Sequence, residues 1–479
     1  MTLSEVDNLN RPIKTIGVIG MGYVGIPNAL LFANDPDTDF VYGIQRESPR
    51  SAHKIKDLNK GTIPFTTYED VMDPLLQRAI DDSKFTCTSD YSVIEDCDAV
   101  IISVQTPFKN KTEPDYDAIM SAIDNTALNM KKGALISIES TITPGFTKNF
   151  IAAEIALVSD LIPTQDFLLV HAPERVTPGK MINNIRNIDR VVGGIDPVST
   201  KVAANVYKRI VTGANIIETD STTAETIKTA ENTFRDLQIA AINQLALYCE
   251  TLGVNVYDVR RGIDSLEGYG VTRSVLWPGA GVGGHCLTKD TYHLERGVKI
   301  SDNATDYPSH TDSLYCVSRD INDYMPIHMF NLAKSALSSV KKWIYDCNIA
   351  VMGLSYNHDS DDMRNTPTEK FCSIFGKQNE NIRIHDPYVD RYEGDYFISS
   401  VFEEVLHKAD VILIFTGHKE YYYLNPLNVK SSTGNDHPVI VDGRNVIDPD
   451  NFINCGFVYR GIGRGDKNNH PIIHCGDNK

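Results

Sequence analysis

The segment Pro278 to Asp290, PGAGVGGHCLTKD, sets His285 and Cys286 among Gly279, Gly281, Gly283 and Gly284. Glycine at that density costs chain entropy and marks backbone that must approach something closely. The chain has nine cysteines and no CxxC pair. For eight of them the ordinary reading, a small buried hydrophobe, is the better one. In its glycine frame Cys286 reads differently. A thiolate there can attack a carbonyl and form a covalent adduct, provided a neighbour lowers its pKa. A second pattern is Gly20, Gly22 and Gly25, a GxGxxG placed between a strand-like run and a helix-like run. In that setting the glycines allow a tight turn, close approach of a pyrophosphate and close helix packing, while the helix N-terminus offers unpaired N–H groups. About 20 residues on, a carboxylate usually holds the ribose hydroxyls of such a dinucleotide. This chain has Gln45 and Arg46 there, which predicts weaker rejection of a 2′-phosphate than an aspartate would give. Lys228 and Asn232 stand four apart and share a helix face. Spacing alone reads that pair as a solvated polar flank.

These residues need elements to position them. KTIGVIG (14–20), DFVYGIQ (39–45), AVIISVQTP (99–107), ALISIEST (134–141), FLLVHAP (167–173) and RVVGG (190–194) are short apolar runs bounded by turns. Alternating with helical stretches, they predict a parallel sheet. From Thr223 to Gly253 there is no proline, and Ile227, Ala230, Phe234, Leu237, Ala241, Leu245, Tyr248 and Leu252 recur in steps of three and four. That is one long helix, stopped by Gly253. NIAVMGLSY (348–356), NIRIHDPYV (381–389), ADVILIFTGH (409–418) and HPVIVDGRNVID (437–448) repeat the α/β pattern. The expected fold is α/β, with two Rossmann-like doubly wound domains joined by a long central helix. The expected domains are 1–212, 213–330 and 331–479, with the polar stretch 299–311 a loop or insertion.

Composition bounds the function. The 479 residues carry 46 basic and 63 acidic side chains, a net charge of −17. Nucleic-acid affinity rests on Lys and Arg neutralising phosphates, so no nucleic-acid partner is expected. No run approaches the ~18 to 20 apolar residues of a membrane span, and MTLSEVDNLN is too polar for a signal peptide. A cytoplasmic chain with reduced thiols, no membrane partner and no metal is the expectation.

Together the motifs resemble the UDP-glucose/GDP-mannose dehydrogenase family, NAD-dependent enzymes that oxidise a nucleotide-sugar C6 alcohol to a carboxylate. They run in family order along essentially the whole chain: GVIGMGYVGIP (17–27), VQTP (104–107), ESTITPG (139–145), APERVTPG (172–179), KTAEN (228–232), PGAGVGGHCLTKD (278–290), GLSYNHDSDDMRNTP (353–367), HDPYV (385–389) and DGRN (442–445). The resemblance implies NAD as cofactor, held by Gly20, Gly22, Tyr23, Val24, Gly25, Gln45, Arg46, Thr106, Pro107, Thr141 and Arg364. It implies Cys286 as nucleophile, Lys228 and Asn232 stabilising oxyanions, Asp290 assisting proton transfer, and Glu174 with Thr141 positioning the hydrolytic water. Glu174, Arg175, Lys228, Asn232, Gly283, Gly284 and Arg444 would contact a UDP-sugar. Asn357 stands where the family usually has a lysine, so the phosphate contacts would fall to Arg364 and Arg444. A homodimer or larger homo-oligomer through the long helix is also implied.

APERVTPG, together with GGHC, is similar to the branch acting on UDP-N-acetylhexosamines. The UDP-glucose branch carries a second glutamate where this chain has Pro178. Two alternatives are a UDP-glucose 6-dehydrogenase and a two-electron dehydrogenase of the 6-phosphogluconate or 3-hydroxyacid type, the latter needing no thiol. A catalytically silent nucleotide-sugar sensor is a third. It would have no physical need for Cys286, Lys228, Asn232 and Asp290 together.

Overall fold

The computed structural model describes residues 12–49, 51–65, 69–110, 112–175, 180–266, 275–301, 313–376, 381–389 and 392–468. They fall into two units, residues 1–231 with 292–309, and 232–291 with 310–479. The first unit is built on eight strands: β1 (Thr15–Ile19), β2 (Phe40–Ile44), β3 (Phe85–Thr88), β4 (Ala99–Ile102), β5 (Leu135–Ile138), β6 (Leu168–His171), β7 (Arg190–Gly194) and β8 (Ile216–Asp220). They lie in the order β3-β2-β1-β4-β5-β6-β7-β8. The central strands β4, β5 and β6 are buried at every residue, which is why they read as mostly Val, Ile and Leu, interrupted by Ala99, Ser137 and His171. Two apolar cores, one containing Val18, Leu30 and Phe32 and the other Ile102, Ile136 and Ile155, fill the space between sheet and helices. The order reverses between β1 and its neighbours β2 and β4, and such a switch point opens a ligand crevice at the carboxyl ends of the strands. β6 and β7 pair antiparallel, whereas every other pairing in the sheet is parallel.

The second unit repeats the plan with β9 (Ile349–Met352), β10 (Ile382–His385), β11 (Phe397–Ser399), β12 (Val411–Ile414), β13 (Val439–Asp442) and β14 (Val458–Gly461), all parallel in the order β11-β10-β9-β12-β13-β14. The α/β class and its two Rossmann-like sheets are therefore as expected. β3, β8, β11 and β14 are additional to the strands read from sequence.

The long helix is present as Ser221–Leu252. It ends where Gly253 takes φ +70°, a left-handed conformation that glycine adopts without strain. Its buried face is polar over the first half, with Glu225, Lys228, Thr229, Thr233 and Asp236, and more apolar after that, with Ala240, Ile242, Ala246 and Cys249. Part of the apolar stripe faces outward, and Phe234, Tyr248 and Leu252 are 53%, 60% and 57% exposed. Of the stretch 299–311, residues 302–311 lie outside the described residues. No described helix is long and apolar enough to cross a membrane.

Candidate active site

The glycine loop closes β1 onto the helix Gly25–Ala33, all of whose residues are buried. Each glycine has its own reason. Gly20 has φ +99°, and a Cβ there would lie 2.7 Å from the Ser103 carbonyl oxygen. At Gly25 a Cβ would come within 2.0 Å of the Gly20 oxygen. At Gly22 it would meet nothing within 4 Å, so no protein atom demands glycine there. That open backbone, at the N-terminus of a helix, fits a pyrophosphate. Tyr23 projects half-exposed with its ring 4.4 Å from Phe65, and Val24 caps the helix through its carbonyl, which accepts from Asn28 N. Gln45 braces the loop: its Oε1 accepts from Met21 N at 3.0 Å and its Nε2 donates to the Arg46 carbonyl at 3.2 Å. Lys54 Nζ donates to the Met21 carbonyl at 2.9 Å, and burial lowers its pKa. Sequence reasoning gave no signal for Lys54.

At the carboxyl ends of β4 to β6 the first unit gathers most of its other expected residues. Thr106 Oγ1 donates to the Thr141 carbonyl at 2.8 Å, tying the loop of Thr106 and Pro107 to the ESTITPG turn. The turn is anchored by Glu225 of the long helix, whose carboxyl accepts from Gly145 N and from Thr147 N at 2.5 and 2.7 Å. Burial pushes Glu225 up to about 7 against those hydrogen bonds. Lys228 is buried, and its Nζ donates to the Glu174 carbonyl at 2.8 Å and stands 3.6 Å from Glu231. Arg175 Nε binds Glu231 at 2.7 Å. His171 lies fully buried beneath them; desolvation, then the charges of Lys228 and Arg190, lower it to about 3 and keep it neutral. The Glu174 carboxylate is gripped by Arg190, which also binds Glu139 at 2.5 Å. Glu139 and Arg190 stand in the quoted ESTITPG and RVVGG segments, but neither they nor Tyr207 carries a signal in the sequence for a role at the site. Pro178 lies outside the described residues.

The second unit presents the thiol. Among the eight described cysteines Cys286 alone is exposed. Burial pushes Cys87 and Cys97 up to about 12 and Cys347 up to about 11, so those thiols stay protonated and inert. The glycines before Cys286 have a specific cause. A Cβ on Gly283 would lie 2.4 Å from Tyr356 Cβ, and one on Gly284 2.9 Å from the Tyr356 ring. Gly284 N donates to the Arg364 carbonyl at 2.8 Å, and Asn365 Nδ2 to the Gly284 carbonyl at 3.1 Å. The loop is thus moulded on the segment 356–365. Arg364 holds Asp362 through two bonds of 2.8 and 2.6 Å and lies within electrostatic reach of Cys286, the kind of cationic neighbour a nucleophilic thiol requires. Desolvation lowers His285 to about 3 and leaves it neutral. The Cys286 carbonyl accepts from Lys289 N and Asp290 N, opening the helix Asp290–Lys299. Asn232 Nδ2 donates to Asp290 Oδ2 at 2.6 Å. Arg444 donates to the Phe415 carbonyl, and its guanidinium occupies the space a Cβ on Gly279 would need. Asn357 contributes its carbonyl to Ser355 Oγ. Among the described residues no His, Cys, Asp or Glu cluster is placed to hold a metal ion.

Residues 14–211 match the NAD binding domain of the UDP-glucose/GDP-mannose dehydrogenase family, residues 222–312 its central domain and residues 350–449 its UDP binding domain. The UDP-N-acetyl-D-mannosamine dehydrogenase of Pyrococcus horikoshii is 35% identical over 451 residues, 94% of this chain and 99% of that one. An NDP-N-acetyl-D-galactosaminuronic acid dehydrogenase of Ralstonia nicotianae is 29% identical over 90% of this chain and 96% of its own. The crystal structure of the NDP-N-acetyl-D-galactosaminuronic acid dehydrogenase from Methanosarcina mazei is 50% identical, with a TM-score of 0.89 over 98% of this chain and 99% of that one.

Proposed function

The chain belongs to the UDP-glucose/GDP-mannose dehydrogenase family, and from that premise we propose that this NAD-dependent nucleotide-sugar dehydrogenase oxidises the C6 alcohol of a UDP-N-acetylhexosamine to the uronic acid, removing four electrons. The observation that carries this reading is the exposed Cys286 on its glycine loop, which is tied to the Arg364 backbone through Gly284 N. A two-electron dehydrogenase has no use for such a thiol.

Two NAD molecules, bound in turn, would each accept one hydride, the first as the C6 alcohol loses its hydroxyl proton and becomes the aldehyde; the remaining work falls to side chains. The Cys286 sulfur adds to the C6 aldehyde carbon as its proton is lost, forming a thiohemiacetal. The developing oxyanion is met by the Lys228 ammonium and the Asn232 amide, with Asp290 moving the proton. Loss of the second hydride leaves a thioester. Water oriented by Glu174 and Thr141 then attacks, the C–S bond breaks, and Cys286 leaves as thiolate. Arg444 grips phosphate on the UDP side, while Arg175, Gly283 and Gly284 line the sugar.

The N-acetylated sugar class is supported by the APERVTPG segment and by the substrates for which the relatives are named. The outward apolar side chains Phe234, Tyr248 and Leu252 support association of two copies through the long helix. Free thiols suit the reducing cytoplasm, where we place the reaction.

Cys286→Ser tests the chemistry directly. A serine hydroxyl lacks the acidity of the thiol, so the variant is expected to bind NAD with unchanged affinity and to form acid at least about 1,000-fold more slowly, a barrier increase of roughly 4 kcal/mol. Acid formation near the wild-type rate ends the thiohemiacetal mechanism.

A further inference from the structure

The reversed strand β7 has a chemical consequence. Val170 faces Gly194 and His171 faces Gly193 across the antiparallel pairing. Three residues beyond His171 is Glu174, and three before Gly193 is Arg190, so running β7 backwards carries its first residue to the carboxyl end of the parallel strands. There Arg190, only 3% exposed, binds two carboxylates at once. Its Nη2 donates to Glu139 Oε1 at 2.5 Å and to the Ala172 carbonyl at 2.7 Å, and its Nη1 donates to Glu174 Oε2. Glu139 also accepts from Asn28 Nδ2 on the glycine-loop helix at 2.7 Å, from Ser103 Oγ at 2.7 Å and from Tyr207 OH at 2.9 Å. The other Glu174 oxygen accepts from Arg175 N at 2.7 Å.

We propose that Arg190 is the positioning residue of the hydrolytic half-reaction, fixing the rotamer from which Glu174 orients water toward the thioester. The inference rests on the functional reading above. A purely structural brace explains the arrangement less well. Buried ion pairs cost desolvation that apolar side chains of the same size avoid, so bracing alone gives no reason for one guanidinium to hold two carboxylates. The planar fork of arginine can bridge both carboxylates, whereas a lysine cannot hold both in fixed geometry. Because Glu139 is anchored on Asn28 and Ser103, Arg190 also ties Glu174 to the glycine loop and to the end of β4. In the assisted step the water oxygen bonds to the thioester carbon, the C–S pair leaves on the Cys286 sulfur, and the water proton passes to Glu174 and then to solvent.

The test compares wild type, Arg190→Lys, Glu174→Gln and the double variant, using a UDP-N-acetylhexosamine and NAD. NADH release is followed through the first turnover, and the intact mass of the quenched protein is recorded. Wild type is expected to release two NADH per sugar without accumulating an adduct. R190K is expected to release about two NADH per site rapidly and then turn over on the order of 100-fold more slowly, because small misplacement of a positioning group costs that much. Its mass should show the acyl group on Cys286, with the Kd for NAD within about twofold of wild type. The double variant should be no slower than E174Q, since both changes act through one group. Wild-type turnover in R190K, slowing without an acyl adduct, or multiplicative slowing in the double variant overturns the proposal. If R190K does not fold, Glu139→Gln, which loosens the other anchor of Arg190, decides in its place. The same burst and adduct with about tenfold slower release supports the proposal, and wild-type kinetics overturns it. One NADH per sugar in the wild type would instead remove the functional reading, so the two failures are told apart.

Discussion

Glu225 shows how one side chain of the long helix can set the pH response of the site it anchors. Its carboxyl closes the ESTITPG turn through Gly145 N and Thr147 N, yet burial raises it from 4.5 to about 7, with Asp220 adding to the rise. The folded chain therefore holds this proton more tightly than the unfolded one. Stability from this group is complete below the unfolded value and is lost as pH rises through about 7, at up to about 1.4 kcal/mol per pH unit between the two values. Glu225→Gln imitates the protonated form. Thermal unfolding from pH 4.5 to 8 is expected to show a shallower fall in Tm for the variant than for wild type, and parallel curves would show that Glu225 is not the group responsible.

The glycine loop separates two roles that sequence alone merges. Gly25 is demanded by the backbone of Gly20, but the Cβ position of Gly22 is open. Gly22→Ala is therefore expected to fold with Tm within a few degrees of wild type while raising the KM for NAD about tenfold or more. Gly25→Ala is expected to destabilise the first unit outright by overpacking. An unchanged KM in G22A would mean that the pyrophosphate does not approach this backbone. The long helix makes a second case. Phe234 and Tyr248 leave its outward face apolar, so under the proposed association through this helix wild type should measure as a dimer by light scattering and Phe234→Glu as a monomer; an equal mass for the two would overturn that association.

Elements buried on both sides could be read from the chain because their composition is their environment. β4 and β12 are continuous apolar runs, β5, β6 and β13 carry only one polar residue each, and Gly253 announced the helix end. β8 could not, because IIETD lies at a sheet edge with Glu218 and Thr219 outside the apolar pattern. The site divides the same way. Cys286 was marked by its glycines, but Arg190 stands in an unremarkable RVVGG strand. Its meaning comes from the antiparallel register with β6, a long-range fact that no local window contains.

At the scale of the whole molecule, an acidic chain with a net charge of −17 is matched to an anionic nucleotide-sugar. Overall electrostatics therefore oppose binding, and in the proposed reading recognition would depend on local cations such as Arg444 and on shape. If the proposed N-acetylated substrate is right, discrimination among sugars would rest on polar groups directed at the acetamide, because a site built to hydrogen-bond such a group is left with unpaired donors or acceptors when a plain hydroxyl sugar enters. The central claim is tested most directly by counting NADH released per sugar consumed, together with kcat/KM, across UDP-N-acetylmannosamine, UDP-N-acetylglucosamine, UDP-N-acetylgalactosamine, UDP-glucose and GDP-mannose. The account predicts two NADH per sugar for at least one UDP-N-acetylhexosamine, with kcat/KM on the order of 100-fold or more above that for UDP-glucose and GDP-mannose. A preference for UDP-glucose, or a stoichiometry of one, would contradict it.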